Sequence, residues 1–264
     1  MTDFSDFVIM TVTTGRRMDM LNEVLLSAIS SISGCTWHIV VQDNFPNVSI
    51  EKALKIAKLR DINIILYPGN PHRSVANEKI SLFKFYPIQS KMVLMIDDDV
   101  IVPSETFEKL AYWKKKLPLS ILLTASQFDI TNVRGHKDWN DKIYLVSEYE
   151  KFCDEVGVEH TATHLWKNDM EEFTYENLII GSNIRGAGVF AVDSNVVLSD
   201  DVLCNKLFNW PKGERGYDVF VQSYLQSLYP NSCHFVFGAN TYHIGLEKSF
   251  YNEDWKTMNE DIKL

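Results

Sequence analysis

The chain is poor in cysteine, and the few cysteines it has are scattered. Only four of its 264 residues are cysteines, and no two of them form a Cys-x-x-Cys pair. A chain of this length can bury a core large enough to be stable without covalent cross-links. The cysteine pattern therefore predicts a reduced protein rather than a disulfide framework or a structural zinc site.

Long apolar runs and an excess of positive charge are also missing. No apolar run approaches the roughly 20 residues that span a bilayer, so we expect no transmembrane segment. The opening "MTDFSDFVIM" holds two aspartates and no Lys or Arg, which predicts no secretory signal. We expect a cytoplasmic protein, with attachment to the inner face of the membrane left open. The net charge of −9 argues against nucleic acid as a partner.

Short apolar runs and segments of helical periodicity alternate along the first half of the chain. Continuous apolar strands suit a sheet that is buried on both faces. The pattern therefore predicts an α/β protein with a Rossmann-like, mostly parallel sheet and helices on both faces. The predicted strands are 7–14, 37–43, 62–67, 92–96 and 120–125, and the predicted helices are 18–32, 49–59, 76–86 and 104–116, the last capped by Ser104. A helix at 217–229 and a strand at 233–238 follow near the end.

Three polar clusters directly follow predicted strands. They are "TTGRR" (13–17), "QDN" (42–44) and the aspartates Asp97, Asp98 and Asp99. In parallel sheets the ligand binds beyond the carboxyl ends of the strands. We therefore expect these clusters to converge on one edge of the sheet.

The three aspartates in "MVLMIDDDVIVP" (92–103) pose an electrostatic problem, because adjacent carboxylates repel one another. A hard divalent cation such as Mg²⁺ or Mn²⁺ removes the repulsion and leaves a positive site for a diphosphate. The alternatives are a solvated acidic turn and N-caps for the helix at 104. The position at the end of an apolar strand favours the metal site.

The segment "LMIDDDVIVP" resembles the DxD metal-binding motif of GT-A-fold glycosyltransferases. The opening "VIMTVTTGRRMDMLNEVLLSAI" (8–29) and the segment "HRSVANEK" (72–79) also resemble this group, and the motif region is similar to exostosin-like and bacterial heparosan-type N-acetylglucosaminyltransferases. The resemblance covers roughly residues 7–125 well and 181–245 loosely. It implies a single GT-A domain with a nucleotide-binding half, 1–125, and an acceptor-binding half, 126–264, which includes a variable insert at 126–180.

The resemblance implies a nucleotide-sugar donor site at the edge of the sheet. Asp43 would accept a hydrogen bond from the base, typically uracil, and Asp97 would contact the ribose or a metal-bound water. A glycine turn would bring backbone close to the donor sugar, although a tight turn into a strand explains the glycines equally well. The residues assigned to the donor are Thr11, Thr13, Arg17, Asp43, Arg73, Lys79, Asp97, Asp98, Gly186 and Gly188.

The resemblance also implies a metal site and a general base. Asp99 would be the main ligand of Mn²⁺ or Mg²⁺, and His243 would complete the site, although a lone histidine is more often structural. Asp218, in "GERGYDVFVQSYL" (213–225), would deprotonate the acceptor hydroxyl as in inverting members. The usual motif has paired acids, and Tyr217 stands in place of the first. A helix cap is the alternative for Asp218, and Glu214 is the second candidate for the base.

These observations predict a metal-dependent glycosyltransferase of polysaccharide biosynthesis. It would move a hexosyl or N-acetylhexosaminyl group from a UDP-sugar to a glycan or lipid-linked glycan, with inversion slightly favoured. The alternatives are a retaining N-acetylhexosaminyltransferase, a non-catalytic carbohydrate-binding module and an enzyme that glycosylates modified DNA bases. A nucleotidyltransferase is disfavoured because "TTGRRMDM" has a single glycine. The sequence does not predict the oligomeric state.

Overall fold

The computed structural model describes nine stretches of the chain. Of the predicted site residues, Asp43, Gly186, Gly188 and the second base candidate Glu214 lie outside them. Most of the variable insert and the C-terminal segment lie outside them as well. The described residues are 1–14, 17–42, 50–85, 91–129, 161–162, 178–179, 189–213, 216–229 and 232–243.

Strands and helices alternate through the described first half. The strands are β1 (Thr2–Asp3), β2 (Phe7–Thr14), β3 (Ile32–Ser33), β4 (Thr36–Gln42), β5 (Asn63–Pro68), β6 (Met92–Ile96), β7 (Val100–Ile101), β8 (Leu122–Asp129), β9 (Thr161–Ala162), β10 (Leu178–Ile179), β11 (Val189–Asp193) and β12 (Cys233–His243). The helices are α1 (Met18–Ile29), α2 (Glu51–Leu59), α3 (Val75–Phe85), α4 (Ser104–Lys116), α5 (Ser194–Ser199), α6 (Asp201–Phe208) and α7 (Tyr217–Leu228).

The main sheet has the strand order β5-β4-β2-β6-β11-β8-β12-β10. Strands β5, β4, β2 and β6 run parallel, and β12 runs parallel to β8. Strand β11 is antiparallel to both of its neighbours, β6 and β8. The two-residue strands β7 and β9 pair with β12 and β8, and β1 pairs with β3 in a separate small sheet. The prediction of a mostly parallel sheet is confirmed, while the antiparallel direction of β11 was not predicted.

Helices cover both faces of the sheet, as predicted. Alternate residues of β2 enter two different apolar clusters, with Phe7 and Ile9 in one and Val8 and Met10 in the other. The first cluster includes apolar residues of α1, α2 and α4, and the second includes residues of α3, α5, α6 and α7. Because side chains alternate along a strand, an unbroken apolar run can fill both layers. No helix in the described ranges is long and apolar enough to cross a membrane.

One predicted helix end and one predicted helix cap were wrong. Helix α1 ends at Ile29 rather than at residue 32, because the next residues turn into β3 and pair with β1. Ser104 does not cap α4; Pro103 holds the N-cap position with an extended backbone, and Ser104 is the first helical residue. The hydroxyl of Ser104 instead donates to Glu105. Pro103 therefore sets the start of α4.

Candidate active site at the carboxyl edge of the sheet

The crevice of the sheet lies between β2 and β6. The chain runs from β2 outward to β4 and β5, and then returns to add β6 on the other side of β2. Ligands of open α/β sheets bind at such a reversal of strand order, beyond the carboxyl ends of the strands. Thr13 and Thr14 end β2, and Asp97 follows directly after β6. The fold thus brings together the first and third predicted polar clusters; most of the second lies outside the described residues.

Two of the three aspartates are buried against one guanidinium group. Arg17 Nη1 lies 3.1 Å from Asp98 Oδ1, and Arg17 Nη2 donates to Asp99 Oδ2. The hydroxyl of Thr13 donates to Asp98 Oδ2 at 2.6 Å. Asp98 is 3% exposed and Asp99 is 5% exposed. We call Thr13, Arg17, Asp98 and Asp99 the Arg17 group.

Burial and the mutual interaction of its charges shift the pKa values in the Arg17 group. Burial raises the pKa of Asp98 to about 7, although the attraction of Arg17 opposes this and Asp99 adds to it. Burial would lower the pKa of Arg17, but the attraction of Asp98 and Asp99 outweighs burial and raises it. The guanidinium therefore stays charged, and it is the counter-ion that makes the buried carboxylates tolerable.

The third aspartate belongs to a second, more open cluster. Lys79, on α3, places its Nζ 2.9 Å from Asp97 Oδ1 and also donates to the Tyr217 hydroxyl. The Tyr217 hydroxyl in turn lies 3.4 Å from Asp97 Oδ1, and the Lys79 Nζ lies 4.9 Å from the centre of the Tyr217 ring. The side chain of Asp97 is 35% exposed, whereas that of Lys79 is 4% exposed. We call Asp97, Lys79 and Tyr217 the Lys79 group.

The candidate base lies next to the Lys79 group. Asp218 follows Tyr217 in the first turn of α7 and is half-buried. Gly216 occupies the N-cap of this helix with a φ of +83°, a left-handed conformation that favours glycine. The first turn of α7 therefore carries both a member of the Lys79 group and the predicted base.

Thr11 lies deeper in the sheet than the prediction of a pocket-lining residue requires. It is fully buried, its hydroxyl accepts a hydrogen bond from Trp37 Nε1 at 3.0 Å, and it donates to the Ile96 carbonyl at 2.8 Å. With no exposed surface, Thr11 ties the end of β6 to the neighbouring strands. Its hydroxyl thus holds the carbonyl of Ile96, the residue directly before the aspartates.

Arg73 lies in a loop that β4 holds in place. Its carbonyl accepts a hydrogen bond from the Gln42 amide at 3.1 Å, and the same amide reaches the Asn70 carbonyl at 3.3 Å. Arg73 itself is half-buried. The loop is thereby tied to the same edge of the sheet, which is compatible with a role in donor binding.

Asp99, the predicted main metal ligand, is paired with Arg17 in this structure. Asp99 lies in the Arg17 group, and the backbone of His243 pairs with Val100, the residue after Asp99. In the described ranges no three His, Cys, Asp or Glu side chains are grouped so that they could hold a metal ion. The side chain of His243 is not among those described. Carboxylate and imidazole suit Mn²⁺, and a bound diphosphate and water would supply the other ligands.

Tyr217 is the functional candidate that sequence reasoning did not assign. In the sequence it stands out only as the residue that replaces the first acid of a paired motif. Its value comes from the contact with Lys79 on α3, which is distant in sequence. The replacement of an acid by another hydrogen-bonding residue was the only signal that could have identified it.

Comparison with known proteins reveals a similarity of fold without a similarity of sequence. No protein-family profile and no curated protein sequence matches the chain. Among solved structures, S. aureus TarS 1–349 matches 90% of this chain at 11% identity, with a TM-score of 0.53. GalNAc-T7, solved with UDP, GalNAc and Mn²⁺, matches 90% of this chain at 10% identity, with a TM-score of 0.56.

The matches establish the fold class. The chain spans 60% of the TarS chain and 42% of the GalNAc-T7 chain. Both are glycosyltransferases, and the chain has their GT-A fold, with a mostly parallel central sheet in a single domain. The fold that the resemblance implied is therefore confirmed.

Proposed function

We propose that the chain is a metal-dependent glycosyltransferase that uses a nucleotide-sugar donor, with a UDP-sugar as the first choice. One observation carries the proposal. Three aspartates pair with the buried side chains of Arg17 and Lys79 at the point where the strand order of a GT-A fold reverses. Such a crevice suits a nucleoside diphosphate. The structure of GalNAc-T7 with UDP and Mn²⁺ supports the choice of donor and cofactor.

The donor would bind along the carboxyl edge. Asp99 and His243 would hold Mn²⁺ or Mg²⁺, and the cation would neutralise the charge that develops on the departing diphosphate. Asp97, the most exposed of the three carboxylates, would bind the ribose or a metal-bound water. Thr13, Arg17 and Asp98 would fix the floor of the site. The other proposed donor contacts are Asp43, Arg73, Lys79, Gly186 and Gly188.

The acceptor would bind in the half of the chain at 126–264, near the start of α7. We assign Asp218 as the general base, because its neighbour Tyr217 contacts both Lys79 and Asp97. Its carboxylate would take the proton of the acceptor hydroxyl while that oxygen bonds to the anomeric carbon and the nucleoside diphosphate leaves. This displacement inverts the anomeric centre. A glycan or lipid-linked glycan is the proposed acceptor.

Thermal unfolding against nucleotides tests the donor proposal. A ligand present at 100 times its dissociation constant stabilises the folded state by about 2.7 kcal/mol, which raises the Tm of a protein of this size by roughly 5–10 °C. We expect UDP to raise the Tm only when Mn²⁺ or Mg²⁺ is present, and ADP, GDP and CDP to raise it less. If no nucleoside diphosphate or UDP-sugar raises the Tm with either metal, the proposal is wrong.

The same panel separates an enzyme from a binding module. The nucleotide sugar that raises the Tm most is incubated with the protein and Mn²⁺, and release of UDP is followed over time. Slow release into water or faster release with a glycan acceptor supports a transferase. Stable binding without UDP release under any condition would favour the non-catalytic module.

A further inference from the structure

We propose that the Lys79 group couples donor binding at Asp97 to the order of the first turn of α7, on the acceptor side of the site. Lys79 and Tyr217 act as positioning residues: they connect Asp97, on the donor side, to the first turn of α7, which carries Asp218. The proposal rests on the proposed function, because it assigns donor binding to Asp97 and proton transfer to Asp218. We expect a ligand that binds Asp97 to change how firmly the first turn of α7 is held.

The geometry of the group joins three separate elements of the fold. Lys79 comes from α3, Asp97 from the end of β6 and Tyr217 from the start of α7. The Lys79 Nζ contacts Asp97 Oδ1 at 2.9 Å and the Tyr217 hydroxyl, and it lies 4.9 Å from the centre of the Tyr217 ring. The ammonium group is buried, so it depends on these contacts for the solvation that water would otherwise give.

The first turn of α7 packs on the second apolar cluster through Tyr217 and Phe220. Its N-cap is Gly216, which provides no side-chain cap, and a Cβ at this glycine would meet nothing within 4 Å. Later turns of the helix have their own anchors: Gln222 accepts a hydrogen bond from Thr124 at 3.1 Å, and the Tyr224 hydroxyl lies 3.2 Å from Asp200 Oδ1. The Tyr217 hydroxyl adds a polar contact between the first turn and Asp97.

A phenol hydroxyl suits this position chemically. It can accept a hydrogen bond from the Lys79 ammonium and donate one to the Asp97 carboxylate at the same time. A carboxylate at position 217 would accept from Lys79 but repel Asp97. The hydroxyl can therefore bond to both partners at once, whereas a carboxylate would bond favourably only to Lys79.

Donor binding changes the balance of these contacts. A ribose hydroxyl or a metal-bound water that binds Asp97 competes with Lys79 for the carboxylate oxygen. The ligand also displaces the Tyr217 hydroxyl from Asp97, but that contact is the longer one, at 3.4 Å. The buried Lys79 ammonium then depends more on Tyr217, and the first turn of α7 is held more firmly. By thermodynamic linkage, fixing this turn strengthens donor binding by the same factor.

Hydrogen exchange measured by mass spectrometry on α7 tests the link. Wild type, Tyr217→Phe and the matched control Tyr224→Phe are compared, each free and with saturating UDP and Mn²⁺. Tyr224→Phe removes a hydroxyl of the same helix, α7, that contacts the carboxylate of Asp200 outside the site. Binding of UDP is followed separately by the rise in Tm.

In wild type and Tyr224→Phe, we expect UDP and Mn²⁺ to slow exchange roughly tenfold at the Phe220 amide, which donates to the Gly216 carbonyl and closes the first turn of α7. In Tyr217→Phe we expect faster exchange in the free protein and no slowing with UDP, although UDP still raises the Tm. A purely structural hydroxyl would change the free-state rate but leave the response to UDP intact.

Two results would overturn the proposal in distinguishable ways. If UDP slows the first turn of Tyr217→Phe as much as that of wild type, or raises the Tm of wild type without slowing this turn, the link is wrong and the donor site stands. If UDP does not raise the Tm of wild type under any metal condition, the donor proposal fails and the link falls with it.

Discussion

The two cations at the end of β6 neutralise aspartates in different surroundings. Arg17 meets Asp98 and Asp99, which are almost fully buried, whereas Lys79 meets Asp97, whose side chain is 35% exposed. A buried carboxylate that loses its counter-ion cannot be hydrated, whereas a partly exposed one can turn to water. We therefore expect loss of Arg17 to cost more stability than loss of Lys79, whose effect should fall mainly on function.

The largest expected effect is on catalysis, and it comes from a change next to the Lys79 group. Asp218→Asn keeps the shape of the side chain but cannot accept the acceptor proton. We expect the rate of UDP release with acceptor to fall about 10²- to 10⁴-fold, with the Tm and its rise with UDP unchanged. Asp201→Asn, in the first turn of the neighbouring α6, is the matched control and should keep full activity. A fully active Asp218→Asn would refute the assignment of the base.

The largest expected loss of stability lies in the Arg17 group. Arg17→Met leaves two buried carboxylates without their guanidinium, which should lower the free energy of unfolding by about 3–5 kcal/mol. For a chain of this size the Tm should fall by roughly 10 °C in a metal-free buffer. Thermal unfolding of Arg17→Met and Lys79→Met, side by side, checks this.

The proposed difference between the two groups is wrong if Lys79→Met lowers the free energy of unfolding as much as Arg17→Met does. We expect a smaller loss for Lys79→Met, because the carboxylate of Asp97 can be hydrated once its partner is removed. Equal losses would mean that Asp97 depends on its counter-ion as strongly as the buried pair does.

A smaller effect separates two neighbouring threonines at the end of β2. The Thr13 hydroxyl donates to Asp98, while the buried Thr14 hydroxyl has no hydrogen-bond partner among the described residues. Thr13→Val should cost about 1.5–3 kcal/mol, the range for a hydrogen bond to a charged group, and Thr14→Val should be neutral or stabilising. Urea unfolding of both variants measures the difference. Similar losses would show that the Thr13 hydroxyl contributes nothing specific to the Arg17 group.

The strands that build the crevice could be predicted because they are unbroken apolar runs. The predicted spans 7–14 and 92–96 coincide with β2 and β6. The reversed β11 could not be predicted, since an apolar run buried on both faces does not indicate strand direction. Helices α5 and α6 were missed, although the carboxylates of Asp193 and Asp200 cap them and were a readable signal.

The candidate site was predictable where it depends on strand ends and not where it depends on distant contacts. The convergence of Thr13, Arg17 and the aspartates follows from the parallel sheet. The burial of Thr11 follows from its contacts with Trp37 and Ile96, and the role of Tyr217 from its contact with Lys79. Such contacts arise from tertiary packing, which periodicity along the chain does not report.

Calorimetric titration of UDP in the presence of Mn²⁺ tests the central claim most directly. Wild type is compared with Asp99→Asn and with Asp6→Asn, an exposed aspartate directly before the amino end of β2. We predict Mn²⁺-dependent binding by wild type and Asp6→Asn, and affinity at least about tenfold weaker in Asp99→Asn, a loss of about 1.4 kcal/mol or more. UDP binding by Asp99→Asn as tight as that of wild type would contradict the assignment of this edge as the site of the donor diphosphate.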